Sequence, residues 1–314
     1  MHDVAGKLPE PAFYVPFRHG RYEVAPGLSQ VRGGRGFELD RSFAGFRAAK
    51  LASRGRGLSN YYCTSDLSDG VRAAVVRFLL RRLAEEWPGL FRSESVDGRR
   101  HVLRCALTRE TLTFNDDDDT LVGTDDVVGY VDAIDALTSQ VQEDLAVVSS
   151  AADGRHWLSM AHVMLPNGWA PAEKIGGSFS AIHEPVAGMA EMNRRGEEFA
   201  RLMVAAERGL VRFAWGVTFD DELDHHPSRP RTAFDPGRPR AFARVERQTI
   251  WGFPAVGGAV FTIRTYVYDA DVFRRDPALR AALGSGLRSM SAASRAYKGL
   301  AAGFEDLAAW IDGG

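Results

Sequence analysis

Apolar residues recur at helical spacing over residues 68–87. Val71, Val75, Phe78, Leu79 and Leu83 share one face there and Pro88 closes the run, which predicts an amphipathic helix starting at Ser68 or Asp69. A weaker pattern over residues 39–51 (Phe43, Phe46, Ala49) predicts a second helix with Asp40 as its N-cap. Residues 125–148 read as a third, with Val131, Ile134, Leu137, Val141 and Leu145 facing inward. A helix over residues 171–183 is expected next. Pro171 suits its first turn, and Glu184-Pro185 stops it because the residue before proline avoids the helical region. An amphipathic helix follows over residues 189–208. Asp276-Pro277 then caps a C-terminal helical region in which Leu283, Leu287, Met290, Tyr297, Leu300, Phe304, Leu307 and Ile311 recur at three and four. Packing onto a sheet explains that stripe better than a cofactor wall.

Strand signals occupy the intervals. Residues 100–114 alternate as a bent strand or hairpin, and residues 155–165 and 210–219 are strand-like. Residues 241–251 and 258–268 form a pair joined by a Pro- and Gly-containing connection. Alternation sets Arg244, Glu246 and Gln248 on one face of the first member, and Arg264 and Tyr266 are expected in similar register on its partner. A polar row on a sheet face meant for packing points to something enclosed. The architecture is α+β, with helices before, between and after antiparallel strands and no internal repeat.

Composition narrows the classes. The 314 residues are 45% hydrophobic and 25% charged, enough for a sizeable core. A net charge of −2 gives no electrostatic case for nucleic acid or an anionic membrane. No apolar run reaches transmembrane length and the first residues lack a signal-peptide core, so a cytoplasmic protein is expected. Cys63 and Cys105 read as two unrelated thiols.

Several residues could carry chemistry. His183, at a helix end, could ligate a metal or haem iron through one ring nitrogen while the other is fixed by an acceptor; a helix-terminal histidine stabilised by the dipole is the simpler alternative. Glu246, between Arg244 and Gln248, could hold a cationic amine or move a proton, or could belong to an Arg–Glu lattice. Arg264 could anchor a carboxylate or a propionate, or pair with Glu246. The cluster Asp220, Asp221, Asp224, His225 and His226 has metal-ligand residue types but reads as a solvated loop, as does the acidic turn 116–119. His156 and His162, six apart, are expected on one strand face. Hydrolase, phosphate-loop and dinucleotide motifs are absent from the sequence.

The blocks RYEVAPGL (21–28), FELDRSF (37–43), QEDLAVV (142–148), PNGWAPAEKIGGSFSAIHEPV (166–186), RVERQT (244–249) and GGAVFTIRTYV (257–267) together resemble the haem-dependent oxidative N-demethylase α-subunit family. The resemblance implies a PAS-like antiparallel sheet with flanking helices around haem b, spanning residues 99–275. Residues 1–98 would be an N-terminal arm and helical cover, and residues 276–314 a C-terminal helix. It implies oxidation of a small-molecule amine with O2 and electrons from a separate reductase carrying NAD(P)H, FMN and an iron–sulfur cluster. His183 would be the axial iron ligand, and Lys174, Arg264 and Tyr266 would contact the cofactor. Arg244, Glu246 and Gln248 would border the catalytic pocket. Homo-oligomerisation is left open. The chain departs from the family pattern at Asn167, at Trp251-Gly252-Phe253-Pro254 and over residues 220–240, which affects the substrate more than the cofactor. The competing reading is a haem- or small-molecule-binding sensor without turnover; a third is a haem-free protein whose polar strand face is an interface.

Overall fold

The longest alternating segments become the longest strands. The structure is a computed structural model and describes residues 8–24, 27–31, 35–125 and 128–313. Among these, β1 (Ser29–Gln30), β2 (Tyr62–Thr64), β3 (Phe91–Ser95), β4 (Arg100–Cys105), β5 (Thr111–Asn115), β6 (Leu121–Thr124), β7 (Asp144–Ser150), β8 (His156–His162), β9 (Leu210–Thr218), β10 (Phe242–Phe253) and β11 (Gly258–Asp269) form two antiparallel sheets. The larger runs β1-β9-β10-β11-β7-β8-β2 and the smaller β3-β4-β5-β6. Around them lie α1 (Phe43–Gly55), α2 (Asp69–Glu86), α3 (Ala133–Thr138), α4 (Pro171–Lys174), α5 (Phe179–His183), α6 (Ala190–Arg194) and α7 (Gly196–Val204). At the C-terminal end come α8 (Ala270–Arg274), α9 (Pro277–Arg288), α10 (Ala292–Tyr297) and α11 (Phe304–Asp312). The fold is α+β.

Helix α2 forms as its pattern predicts. Ser68 Oγ accepts the Val71 N–H, and the five predicted stripe residues are all buried. They join Val147, Met160, Trp251 and Val260 of the large sheet and Leu103, Leu112 and Phe114 of the small one in a single core cluster. Full burial of a side chain such as Leu79 or Leu83 is worth about 1.5–3 kcal/mol. A second cluster covers the other end of the large sheet, where Trp215, Val217, Val245 and Tyr266 meet Phe17, Leu283, Leu287, Phe304, Leu307 and Ile311.

Several expectations are corrected. Among the described residues of 125–148 only α3 is helical; Val131 is exposed and residues 144–150 are β7. Burial on both faces of β7 gives a continuous apolar run, and period alone cannot separate that from a helix. The helix expected over 171–183 is two, α4 and α5, because Gly176 takes a left-handed φ of 78° that ends the first. Residues 189–208 hold α6 and α7, divided at Arg195. The C-terminal stripe is carried by three helices, α9 to α11. Ser42 is the N-cap of α1; Asp40 Oδ1 accepts from the Ser42 N–H at 2.9 Å and is two residues too early. A bulge opposite Val147/Val148 shifts the β7–β8 register, so His156, opposite Ser150, and His162, opposite Leu145, fall on opposite faces.

Candidate functional site

Register decides which polar residues meet. Glu246 lies opposite Ala214 on β9 and Thr265 on β11, and Gln248 opposite Arg212 and Ile263. Arg264 lies opposite Arg247, and Tyr266 opposite Val245. Because directly paired residues share a face, Arg212, Arg244, Glu246 and Gln248 occupy one side of the sheet, and Arg247, Arg264 and Tyr266 the other. The expected common register for Arg264 and Tyr266 is therefore corrected by one residue.

On the Arg264 side the N-terminal segment closes the sheet. Arg264 donates to Asp40 Oδ2 at 2.5 Å and to the Glu38 carbonyl at 3.1 Å, and it lies over the rings of Phe46 and Tyr266. Arg247 pairs with Glu38 at 3.1 Å, and the Tyr266 hydroxyl donates to Glu38. Arg264 thus pairs with Asp40, not with Glu246.

The opposite side is arranged differently. Arg244 is buried and donates to the carbonyls of Leu165 and Leu223, both at 2.9 Å, holding two loops against the sheet. Glu246 accepts from Gln248 Nε2 at 2.9 Å and from Asn167 Nδ2 at 3.4 Å. Arg212 Nε is buried with no hydrogen-bond partner, and the Lys298 ammonium has no ionic or hydrogen-bonded partner among the described residues. Burial lowers the proton affinity of Arg212, Arg244 and Lys298, while Glu246 acts on each in the other direction. Arg244 also feels Asp144, Asp220 and Asp224, whereas Arg212 and Lys298 have Glu246 alone, which leaves an excess of positive charge around them suited to an anionic group.

His183 ends α5, which Ser178 caps at its start by accepting the Ala181 N–H. Lys174 Nζ donates to the Ile182 carbonyl at 2.9 Å and so ties α4 to the end of α5, a positioning contact. His183 Nδ1 lies 2.8 Å from the Phe179 carbonyl. A carbonyl only accepts, so Nδ1 carries the hydrogen and Nε2 keeps its lone pair. Burial, assisted by Arg212 and Lys174, lowers the histidine's proton affinity, opposed only by that carbonyl. The ring is thus neutral near pH 7 and packs against Phe179 at 4.3 Å between centroids.

A family model described as Haem-dependent oxidative N-demethylase, alpha subunit-like matches residues 27–307. The chain belongs to this family. No curated protein matches it. The residues present fit the haem that the family name specifies. His183 offers a neutral imidazole with one nitrogen fixed by an acceptor and the other free. Arg212 offers an unpaired cation of the kind that carboxylate side groups need.

Arg212 and Lys298 were missed from sequence, yet β9 holds a signal for the first. Its odd positions are Val211, Phe213, Trp215 and Val217, and its even positions set Arg212 in a row with Ala214 and Gly216. A lone arginine among small residues on a packing face marks an enclosed space. Lys298 follows a helix read only for its apolar stripe and carries no such mark. Of the departures from the family pattern, Asn167 touches Glu246, and Asp220, His225, Arg231 and Thr232 of the 220–240 segment line a cleft beside it. Trp251 and Phe253 pack on Phe78 instead, away from the site. The acidic and histidine cluster is not a solvated loop: buried Asp224 accepts from Ser53, Arg56 and Tyr61, and His225 Nε2 lies 2.7 Å from Asp220.

Proposed function

We propose that this member of the family is a haem-dependent monooxygenase that oxidises an amine, with His183 as the axial iron ligand and electrons drawn from a separate reductase. The PAS-like description of the large sheet belongs to the same proposal. The single observation that carries it is the state of His183, neutral, held through Nδ1 and free at Nε2, on a short helix with the unpaired Arg212 acting on it.

Haem bound there would supply O2 activation and one-electron chemistry that no side chain provides. The chain's own residues would orient and insulate. Phe179 holds the imidazole plane, and Lys174 holds the end of α5. Arg212 would balance carboxylate charge. Glu246, steadied by Gln248 and Asn167, is placed to accept a hydrogen bond from a cationic amine and to take its proton, since an amine must be neutral before it can be oxidised next to nitrogen. Arg244 sets that carboxylate's surroundings from beneath.

The test is the absorption spectrum of protein expressed with added haem, oxidised and dithionite-reduced, together with a pyridine haemochrome assay. A Soret band near one haem per chain that shifts on reduction and with carbon monoxide is expected. His183→Ala should lose that ligation, and a variant with wild-type spectra and haem content would remove the assignment. Reductant consumption that depends on an added amine would then separate an enzyme from a sensor.

A further inference from the structure

A second group of residues meets at the edge of the cationic face. A cleft with about 90 Å³ of room lies between the end of β9, the turn at Asn167-Gly168 and the C-terminal end of α10. That is well below the roughly 300–1,000 Å³ of pockets that enclose drug-sized ligands, so it suits a molecule of a few heavy atoms and not a tetrapyrrole. Lys298 and Arg231 line it, and neither has an ionic partner among the described residues. The Lys298 chain crosses β9 at Gly216, where an added Cβ would lie 3.5 Å from Lys298 Cδ.

Arg231 occupies a prepared slot. A Cβ on Gly168 would come within 2.4 Å of its Nη2, and one on Gly299 within 3.3 Å of its Nη1. Both glycines have left-handed φ, 79° and 73°. The guanidinium lies exposed at the cleft beside these two glycines, with a long 3.4 Å contact to the Gly168 carbonyl. The one carboxylate on the cleft wall, Asp220, is already engaged by His225 and by the Glu222 N–H. Two cations thus face the opening with no anion of their own.

We propose that this cleft binds the carboxylate of the substrate, so that the amine oxidised is an N-alkylated amino acid and not a simple alkylamine; the inference rests on the haem monooxygenase reading for its reaction. Arg231 offers two parallel donors and Lys298 a point charge, a pairing suited to a carboxylate. Asn167 belongs to both sites, since it lines the cleft and donates to Glu246. A carboxylate held by Lys298 and Arg231 leaves the nitrogen of a small amino acid on the Asn167 and Glu246 side, where a second carboxylate can receive it.

The experiment is calorimetric titration of the haem-supplemented full chain with sarcosine, N-methylalanine, dimethylamine and acetate, with haem content measured on every variant. Sarcosine or N-methylalanine should bind at least tenfold more tightly than dimethylamine or acetate. Lys298→Met and Arg231→Met should each remove that tenfold advantage without changing haem content, and Lys298→Arg should recover part of it. Arg231 is exposed, so its variant reads the cleft without a folding penalty. The inference falls if dimethylamine binds as tightly as the amino acids, or if the amino acids do not bind. It also falls if Lys298→Met lowers haem content and spares amino-acid affinity, which would give the ammonium to the cofactor. Wild-type protein that takes up no haem would instead defeat the function proposed above, while the titration would still report on the cleft.

Discussion

The two faces of the large sheet carry the same residue types to opposite ends. On one, Arg247 and Arg264 meet Glu38 and Asp40, the hydroxyls of Tyr14 and Tyr266 both donate to Glu38, and the segment around residues 36–42 seals the lattice. On the other, Glu246 is the carboxylate that acts on both Arg212 and Lys298, Arg244 also draws on Asp144, Asp220 and Asp224, and Arg212 Nε is left unpaired. Buried charges are normally matched, because an unmatched one carries a large desolvation penalty. A face that is matched is architecture. A face left unmatched lacks an internal reason for its charges, and a ligand supplies one.

The largest effect expected from this contrast is on the sealed face. Arg264→Met would leave Asp40 buried opposite a thioether and would remove the donor to the Glu38 carbonyl. Breaking one partner from a buried pair typically destabilises by about 3–5 kcal/mol, and urea unfolding should show a loss in that range. A loss below about 1 kcal/mol would mean that the lattice is solvated and that the contrast between the faces is false.

Glu143 gives a pH-dependent version of the same test. It lies fully buried behind the lattice, its Oε1 accepting the Glu38 N–H at 2.7 Å while Oε2 has no partner. Burial pushes its carboxyl from the usual 4.5 up to about 7, against the pull of Arg264. The folded state therefore holds the proton more tightly than the unfolded chain, so this group's contribution is fully present below about pH 4.5 and is lost as pH rises through 7. The displacement corresponds to roughly 3 kcal/mol in full. Glu143→Gln keeps an acceptor for Glu38 and cannot ionise. Its stability should be close to wild type at pH 5 and exceed it by about 2 kcal/mol at pH 8. Parallel stability profiles for the two proteins would show that Glu143 is ionised in the fold at every pH tested.

How far the sequence reveals this contrast depends on the kind of signal each residue gives. The stripe of α2, the β10–β11 pair and the polar row Arg244, Glu246 and Gln248 were all readable, because periodicity is a property of single segments. The side of the sheet on which Arg264 lies was not. It depends on a hairpin register set by the three-residue turn at Pro254–Val256, and a one-residue slip moves every side chain to the other face. The α4–α5 break turns on the left-handed Gly176 inside an otherwise acceptable helical pattern. Asp40 and its partner Arg264 lie 224 residues apart, a separation that no local pattern encodes. The fold class and the row around Glu246 were therefore legible, and the identity of the matched and unmatched faces needed coordinates.

The smallest expected effect is the most pointed. Arg212→Met should change stability by no more than about 1 kcal/mol, in either direction, because the guanidinium gives up hydration without gaining a hydrogen bond at Nε. Methionine keeps most of the aliphatic packing, and Glu246 retains Arg244 and Lys298 as neighbours, so no orphaned carboxylate is created. Haem affinity should nevertheless fall at least tenfold in competition with apomyoglobin if the cation serves a carboxylate of the cofactor. Near-neutral stability with weakened binding would mark Arg212 as a residue kept for its ligand. A destabilisation of 3 kcal/mol or more, equal to that at Arg264, would instead show that both faces are closed lattices and that the unpaired Nε has no functional meaning.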